Sequence, residues 1–180
     1  MNRDPIQLVE AGPDAAGELR ALAESIWWDV YPEILSADQI RFMLDWMYAP
    51  ATLRSDLAAG RVRYDFLRVD GQAAGFTSRH PGEAPGEQHL AKLYLAKRFH
   101  GRGLGSAALR EVIRRAGLEG ASFVTLRVNR RNLPALRCYL RNGFRIERDL
   151  LSDIGGGFVM DDHWMRLDLP GEPRSPRLAP

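Results

Sequence analysis

A chain of 180 residues with 45% hydrophobic residues, 27% charged residues and a net charge of +2 at pH 7 is sized for one soluble globular domain. The small net charge excludes a general polycation for nucleic acid, and the single cysteine, Cys138, excludes an internal disulfide or a cysteine-based zinc site. No apolar run approaches the roughly 20 residues of a membrane span, and Met1-Asn2-Arg3-Asp4-Pro5 lacks the basic-then-apolar layout of a signal peptide, so the expectation is a cytoplasmic protein without a nucleic-acid or membrane partner.

The elements run in a readable order, with no internal repeat. Ile6-Gln7-Leu8-Val9 reads as a short strand, and Pro13-Asp14 opens a helical stretch with Leu19, Leu22, Ala23, Ile26 and Trp27 at helical spacing. Ser36-Ala37-Asp38-Gln39 reads as a capping box for a second helix carrying Ile40, Met43, Leu44 and Met47. Pro50 starts a third helix that Gly60 closes. Two strands follow, about Arg63 to Val69 and Ala73 to Ser78, joined by the hairpin signal Asp70-Gly71. After a Pro/Gly-rich loop comes a strand from about Gln88 to Leu95. A helix after Gly103 carries Leu104, Ala108, Leu109, Val112, Ile113 and Ala116 on one face and stops at Gly117 or Gly120. Phe123 to Val128 reads as a strand, and Leu133 to Asn142 as a helix with Pro134 in its first turn and Gly143 as its C-cap. Phe144 to Arg148 and Phe158 to Leu169 read as the last strands. The order predicts an α/β (α+β) domain over residues 1–170, with a mixed, mostly antiparallel sheet flanked by helices. The proline-rich residues 171–180 read as a disordered tail.

The stretch from Leu93-Tyr94-Leu95 to Ser106 carries the chemistry. A strand ends, a basic turn follows, and Gly101, Gly103 and Gly105 lead into a helix. Glycines allow positive φ and close approach of a ligand to the backbone, and the helix N-terminus adds about half a positive charge. The arrangement suits a pyrophosphate; a plain tight turn is the bland alternative. A Walker loop needs a Gly-Lys that is absent, and the spacing Gly-x-Gly-x-Gly does not fit a Rossmann fingerprint. The arginines Arg127, Arg130, Arg131, Arg137, Arg141, Arg145 and Arg148 crowd one stretch, as either a solvated face or part of an anion site. Cys138 reads as a small buried hydrophobe.

Leu93-Tyr94-Leu95 followed by His100-x-x-Gly103-x-Gly105 resembles the acyl-CoA signature of the GCN5-related N-acetyltransferases, Arg/Gln-x-x-Gly-x-Gly/Ala, with His100 in place of the first Arg/Gln. The run from Asn129 to Phe144, with Asn132, Ala135, Tyr139, Gly143 and Phe144, resembles the second block, Asn-x-x-Ala-x-x-x-Tyr-x-x-x-Gly-Phe. Gln39-Ile40-x-x-Met43-Leu44-x-x-Met47-Tyr48-x-Pro50 and Asp153 to Asp162 resemble the PaiA-type branch, which includes polyamine N-acetyltransferases.

The resemblance implies a fold with a splayed central strand pair and acetyl-CoA as acyl donor. It implies transfer to an amine, such as spermidine, by direct attack in a ternary complex. The cofactor would lie on Leu93, Tyr94 and Leu95, with a main-chain N–H near Leu95 polarising the thioester. His100, Gly101, Arg102, Gly103, Leu104, Gly105 and Ser106 would hold the pyrophosphate. Asn132 and Ala135 would meet the pantetheine region, and Tyr139 would protonate the leaving thiolate. Glu87 and His89, at the start of that strand, are candidates for the base. Trp27, Trp28 and Tyr31, with Asp29 and Glu33, combine aromatic and acidic groups suited to a cationic amine, although Trp27 also fits a core position. Asp161-Asp162-His163 alternate faces on a strand, so no metal is expected. A protein N-terminus or lysine as acceptor, and a non-catalytic acyl-CoA sensor, are the alternatives. The protein is expected to act as a monomer or homodimer.

Overall fold

The computed structural model describes residues 6–170; the expected disordered tail at 171–180 lies outside the described residues. Seven strands form one sheet: β1 (Gln7–Glu10), β2 (Arg63–Val69), β3 (Gln72–Pro81), β4 (Glu87–Leu95), β5 (Phe123–Asn129), β6 (Arg145–Gly155) and β7 (Phe158–Asp168). Their spatial order is β1-β2-β3-β4-β5-β7-β6, antiparallel except for the parallel pair β4–β5. Five helices cover the sheet: α1 (Ala16–Val30), α2 (Ala37–Met47), α3 (Pro50–Ala59), α4 (Leu104–Leu118) and α5 (Leu133–Arg141). Among the described residues no helix is long and apolar enough to cross a membrane.

Alternate residues of β2 show how the layers divide. Tyr64 sends its hydroxyl to Asp56 of α3 at 3.4 Å, whereas Asp65 accepts a hydrogen bond from Arg115 of α4 at 2.9 Å. Helices α1 to α3 therefore lie on one face and α4 on the other, with α5 packed against α4. Arg115 also donates to the Leu8 carbonyl at 2.8 Å, and buried Arg79 faces both Asp65 and Glu119. These ion pairs fasten the C-terminal half of α4 to the sheet. Removing one partner of a buried pair is far more costly than the pair itself is stabilising.

Three local readings need correction. The first helical stretch opens with a 3-10 turn, Pro13–Ala15, before α1. The capping box is half formed: Ser36 Oγ accepts from the Gln39 backbone at 3.2 Å, but the Gln39 side chain donates to the Val159 carbonyl at 2.8 Å. That bond ties α2 to the β6–β7 hairpin. There, Phe42 packs on Phe158, with ring centroids 5.4 Å apart, over the positive-φ glycines 155–157. Finally, β6 extends to Gly155, well past the expected Arg148. It is an exposed edge strand with little apolar alternation to mark its length, which pairing with β7 sets instead.

The feature that creates the site is the parting of β4 from β5. Their register runs from Glu87↔Phe123 to Leu90↔Leu126 and then stops, while β4 stays paired with β3 as far as Leu95↔Gly75. The β3–β4 register shifts by one residue at Ala91. Such a bulge re-aims the side chains that follow. Lys92 and Tyr94 consequently face α1 to α3, and Leu93 and Leu95 face α4.

Candidate active site

An open cleft of about 1020 Å³ occupies the fork between β4 and β5. The C-terminal end of α1 and the loop after it close one side, and the N-terminus of α4 and the face of α5 close the other. Of the residues expected to hold the cofactor, Leu93, Tyr94, Leu95, His100, Gly101, Gly103, Leu104, Gly105, Ser106, Asn132, Ala135 and Tyr139 all line it. Arg102 does not: its guanidinium lies over the Phe99 ring at 5.7 Å.

Gly101 and Gly103 both have φ of 74°, a conformation that other residues adopt only with strain. The first helical bond of α4 runs from the Ala107 N–H to the Gly103 carbonyl at 3.1 Å, so the amides of Leu104, Gly105 and Ser106 have no acceptor within the helix. They form a donor nest at a helix N-terminus, suited to an anion. His100 also has a bracing contact within the protein. Its backbone N–H is taken by the Lys97 carbonyl at 3.0 Å, and its Nε2 lies 2.8 Å from the Leu95 carbonyl. The ring pins the turn to the end of β4.

On the opposite wall, Asn132 caps α5, its Oδ1 accepting from the Ala135 N–H at 3.2 Å. Tyr139 is buried except where it borders the cleft, with its ring edge-on to Phe144 at 5.9 Å. Burial first, then the neighbouring Tyr31 and Cys138, hold its phenol far above the usual range. Cys138 is half-buried and lines the cleft, with Sγ 3.4 Å from Ser106 Oγ; it is not the buried hydrophobe expected.

Only one of the three aromatics expected near the acceptor borders this cleft. Trp28 lines it, together with Asp29 and Glu33. Trp27 is 2% exposed and belongs to the core, packed on Tyr31, Tyr48 and Tyr94. Tyr31 stands behind the lining, within side-chain reach of Tyr94 and Asn132. The helical turn of 100° per residue separates Trp27 from Trp28.

The arginine-rich stretch divides among several tasks. Arg137 and Arg141 line the cleft. Arg131 forks onto the Ile34 and Glu33 carbonyls at 2.8 and 2.9 Å and clamps the loop after α1. Arg145 pairs with Asp168 and Glu147. Arg130 faces Asp149 and Asp161.

A second cleft, of about 620 Å³, lies on the α1-side face of the sheet beside the paired half of β4. Its floor carries both candidate bases. Thr125 Oγ1 is 2.5 Å from Glu87 Oε1 and 2.8 Å from His89 Nδ1. A carboxylate only accepts, so the hydroxyl donates to Glu87 and accepts from Nδ1–H. That leaves His89 Nε2 as an unprotonated acceptor. Burial, then the neighbouring His80, pull the His89 pKa down to about 4, so the ring is neutral at pH 7. Glu87 also accepts from the Ala84 N–H at 3.1 Å. Burial pulls its pKa up, but the Thr125 and Ala84 hydrogen bonds hold it below the ordinary value. Glu87 and His89 both line the cleft; both Glu87 oxygens are engaged, by Thr125 and by the Ala84 N–H. Gly82 makes this placement possible, because a Cβ there would lie 2.1 Å from the Glu87 side chain.

Asp161, Asp162 and His163 do not converge, and among the described residues no cluster of three or more His, Cys, Asp or Glu side chains could hold a metal ion. His163 Nδ1 pairs with Asp149 at 2.6 Å instead.

The Acetyltransferase (GNAT) family profile matches residues 21–144. An uncharacterised N-acetyltransferase of Mycobacterium tuberculosis strain H37Rv is 30% identical over 131 residues, which are 73% of this chain and 83% of that protein. The PaiA N-acetyltransferase of Thermoplasma acidophilum, solved with coenzyme A, superposes with a TM-score of 0.75 at 20% identity, over 91% of this chain and 99% of that one. A chimera of the spermidine N-acetyltransferase SpeG from Vibrio cholerae has a TM-score of 0.71 at 12% identity, over 91% and 95% of the two chains. Coenzyme A or acetyl-CoA is bound in solved neighbours of this fold. A glycine nest at the fork of a splayed parallel pair, with the family profile across both blocks, makes this chain a member of the Acetyltransferase (GNAT) family, an acyl-CoA-dependent N-acetyltransferase whose donor is acetyl-CoA.

Proposed function

We propose that this protein is a cytoplasmic, single-domain enzyme, monomeric or homodimeric, that acetylates a small primary amine by direct attack in a ternary complex. The observation that carries this reading is the line Glu87–Thr125–His89. It ends on a free Nε2 one residue before the last β4–β5 pair, Leu90↔Leu126.

In this reading acetyl-CoA lies in the first cleft, with its pyrophosphate on the nest from Gly101 to Ser106 and its thioester carbonyl near the N–H groups of Leu93 to Leu95. The amine nitrogen attacks the carbonyl carbon and an N–C bond forms. A base as weak as His89 cannot strip a free alkylammonium of pKa ~10.4. It takes the proton from the nitrogen once the new bond has made that nitrogen acidic, directly or through one water. The C–S bond then breaks. Tyr139 hydrogen-bonds the growing thiolate charge and supplies its proton as coenzyme A leaves.

A polyamine such as spermidine is the acceptor suggested by the PaiA-type resemblance, and the SpeG chimera shares the fold. Trp28, Asp29 and Glu33 offer such a cation an aromatic and acidic edge. The test is release of free thiol from acetyl-CoA over a panel of amines, with spermidine and lysine-bearing peptides included. Turnover of small amines supports the reading. Turnover of peptides alone makes it a protein acetyltransferase. Tight acetyl-CoA binding with no thiol from any amine makes it a sensor and overturns the proposal.

A further inference from the structure

The second cleft has a chemistry of its own. Trp164 of β7 lines it, with the His89 ring stacked on the indole at 5.2 Å and an angle of 21°. The guanidinium of Arg148, the cross-strand partner of Trp164 on β6, covers the same indole at 4.6 Å. Arg127, its partner on β5, completes the row. His89, Trp164, Arg148 and Arg127 thus line one cleft, with the indole in contact with both the imidazole and the Arg148 guanidinium.

Of these cations Arg148 is uncommitted, whereas Arg127 is shared with buried Asp162. Among the described residues no carboxylate pairs with Arg148, which is exposed. Arg127 donates to the Ser152 hydroxyl at 2.9 Å, and its nearest carboxylate, Asp162, is 4.0 Å away. The acids of the cleft are mostly in use: Glu87 serves Thr125 and Ala84, and Glu147 faces Arg145 and Arg166. Glu83, on the exposed rim, is the remaining carboxylate. A polycation entering here would meet these arginines. A guanidinium laid flat on an aromatic ring keeps its N–H edge free for a carboxylate or phosphate.

We propose that the second cleft is the acceptor site and selects primary amines that also carry an anionic group, with the amine at His89 Nε2 and the anion on Arg148 and Arg127 across Trp164. This rests on the transferase reading above and names a different acceptor class from the polyamine.

The test uses matched amines on the full-length protein. Lysine and cadaverine differ by one carboxylate; phosphoethanolamine and ethanolamine differ by one phosphate. Thiol release should give the anionic member of at least one pair a kcat/KM about ten-fold above its partner, and the favoured pair identifies the anion. Arg148→Ala should bring that ratio close to one, and Arg148→Lys should retain part of it. The N-acetylated products of all four amines, titrated calorimetrically against the protein with coenzyme A present, give the same comparison without turnover. If no amine releases thiol, the transferase reading fails, and the titration alone decides the anion site. Equal or better performance of cadaverine and ethanolamine overturns the proposal, as does a preference that survives in Arg148→Ala.

Discussion

His100 Nε2 donates to the carbonyl of Leu95 across 2.8 Å, so the first residue of the glycine turn is fastened to the last residue of the splayed strand. A neutral imidazole can do this with one N–H, and the Arg or Gln of the family pattern carries equivalent donors. The bond keeps the anion nest and the unpaired end of β4 in one geometry. His100→Ala should therefore weaken acetyl-CoA binding by about five-fold, the worth of one hydrogen bond of ~1 kcal/mol. His100→Gln should bind like the wild type. Calorimetric titration with acetyl-CoA checks both, and wild-type affinity in His100→Ala would show that the bond is incidental.

The glycines of the turn answer to different constraints. Gly103 has φ of 74° and open space where a Cβ would go, so its requirement is conformational. Gly103→Ala should cost about 1–2 kcal/mol of stability, the penalty of a left-handed L-residue, and loosen acetyl-CoA. At Gly105 a Cβ would make ordinary contacts, 3.6 Å to Leu95 Cδ1 and 3.9 Å to Cys138 Sγ. Gly105→Ala should melt no lower than the wild type, since alanine is the better helix former, and should keep its acetyl-CoA affinity. Thermal melts and titrations of the two variants separate backbone strain from ligand contact.

Tyr139 borders the cleft on α5 while Phe144 and the core hold its ring. Its raised phenol stays protonated through any working pH. Tyr139→Phe removes one oxygen and leaves the packing intact. It should lower kcat by about ten- to a hundred-fold, in the range of general-acid contributions, with the acetyl-CoA dissociation constant unchanged. An unaltered kcat would remove Tyr139 from the chemistry.

The cleft wall expected to hold the donor was legible in the sequence because it is local. The run from Leu93 to Ser106 is one strand, one turn and one helix start, and adjacency in the chain is adjacency in space. The candidate base was half legible. His89 and Glu87 share a strand face by simple alternation, but the hydroxyl that joins them belongs to Thr125, whose place opposite His89 depends on the parallel β4–β5 register. The bulge at Ala91, which turns Tyr94 into the aromatic core, leaves no mark in the residue types. The apolar spacing of α1 already included Trp27 and not Trp28, but the aromatic-plus-acidic cluster offered both to the acceptor; the packing of Tyr48 and Tyr94 on Trp27 shows that it belongs to the core. The second cleft draws on β3, β4, β5, β6 and β7, so its composition exists only once the sheet is assembled.

The neutral state of His89 has a consequence for stability. Its folded pKa is lowered to about 4, with burial as the main cause, against about 6.5 in the unfolded chain. Between those values the unfolded state binds more protons than the folded one, so stability falls as pH drops from 6.5 to 4 and the loss is complete below 4. The full difference is on the order of 3 kcal/mol. Glu111, held down to about 2 chiefly by Arg114, loses its contribution only as pH falls below the usual carboxylate range, and it does so equally in any His89 variant. His89→Gln should therefore show a flatter melting temperature between pH 6.5 and 4.5 than the wild type. Parallel slopes in the two proteins would mean that His89 takes up its proton in the folded state, and that its Nε2 is not held free for a substrate amine.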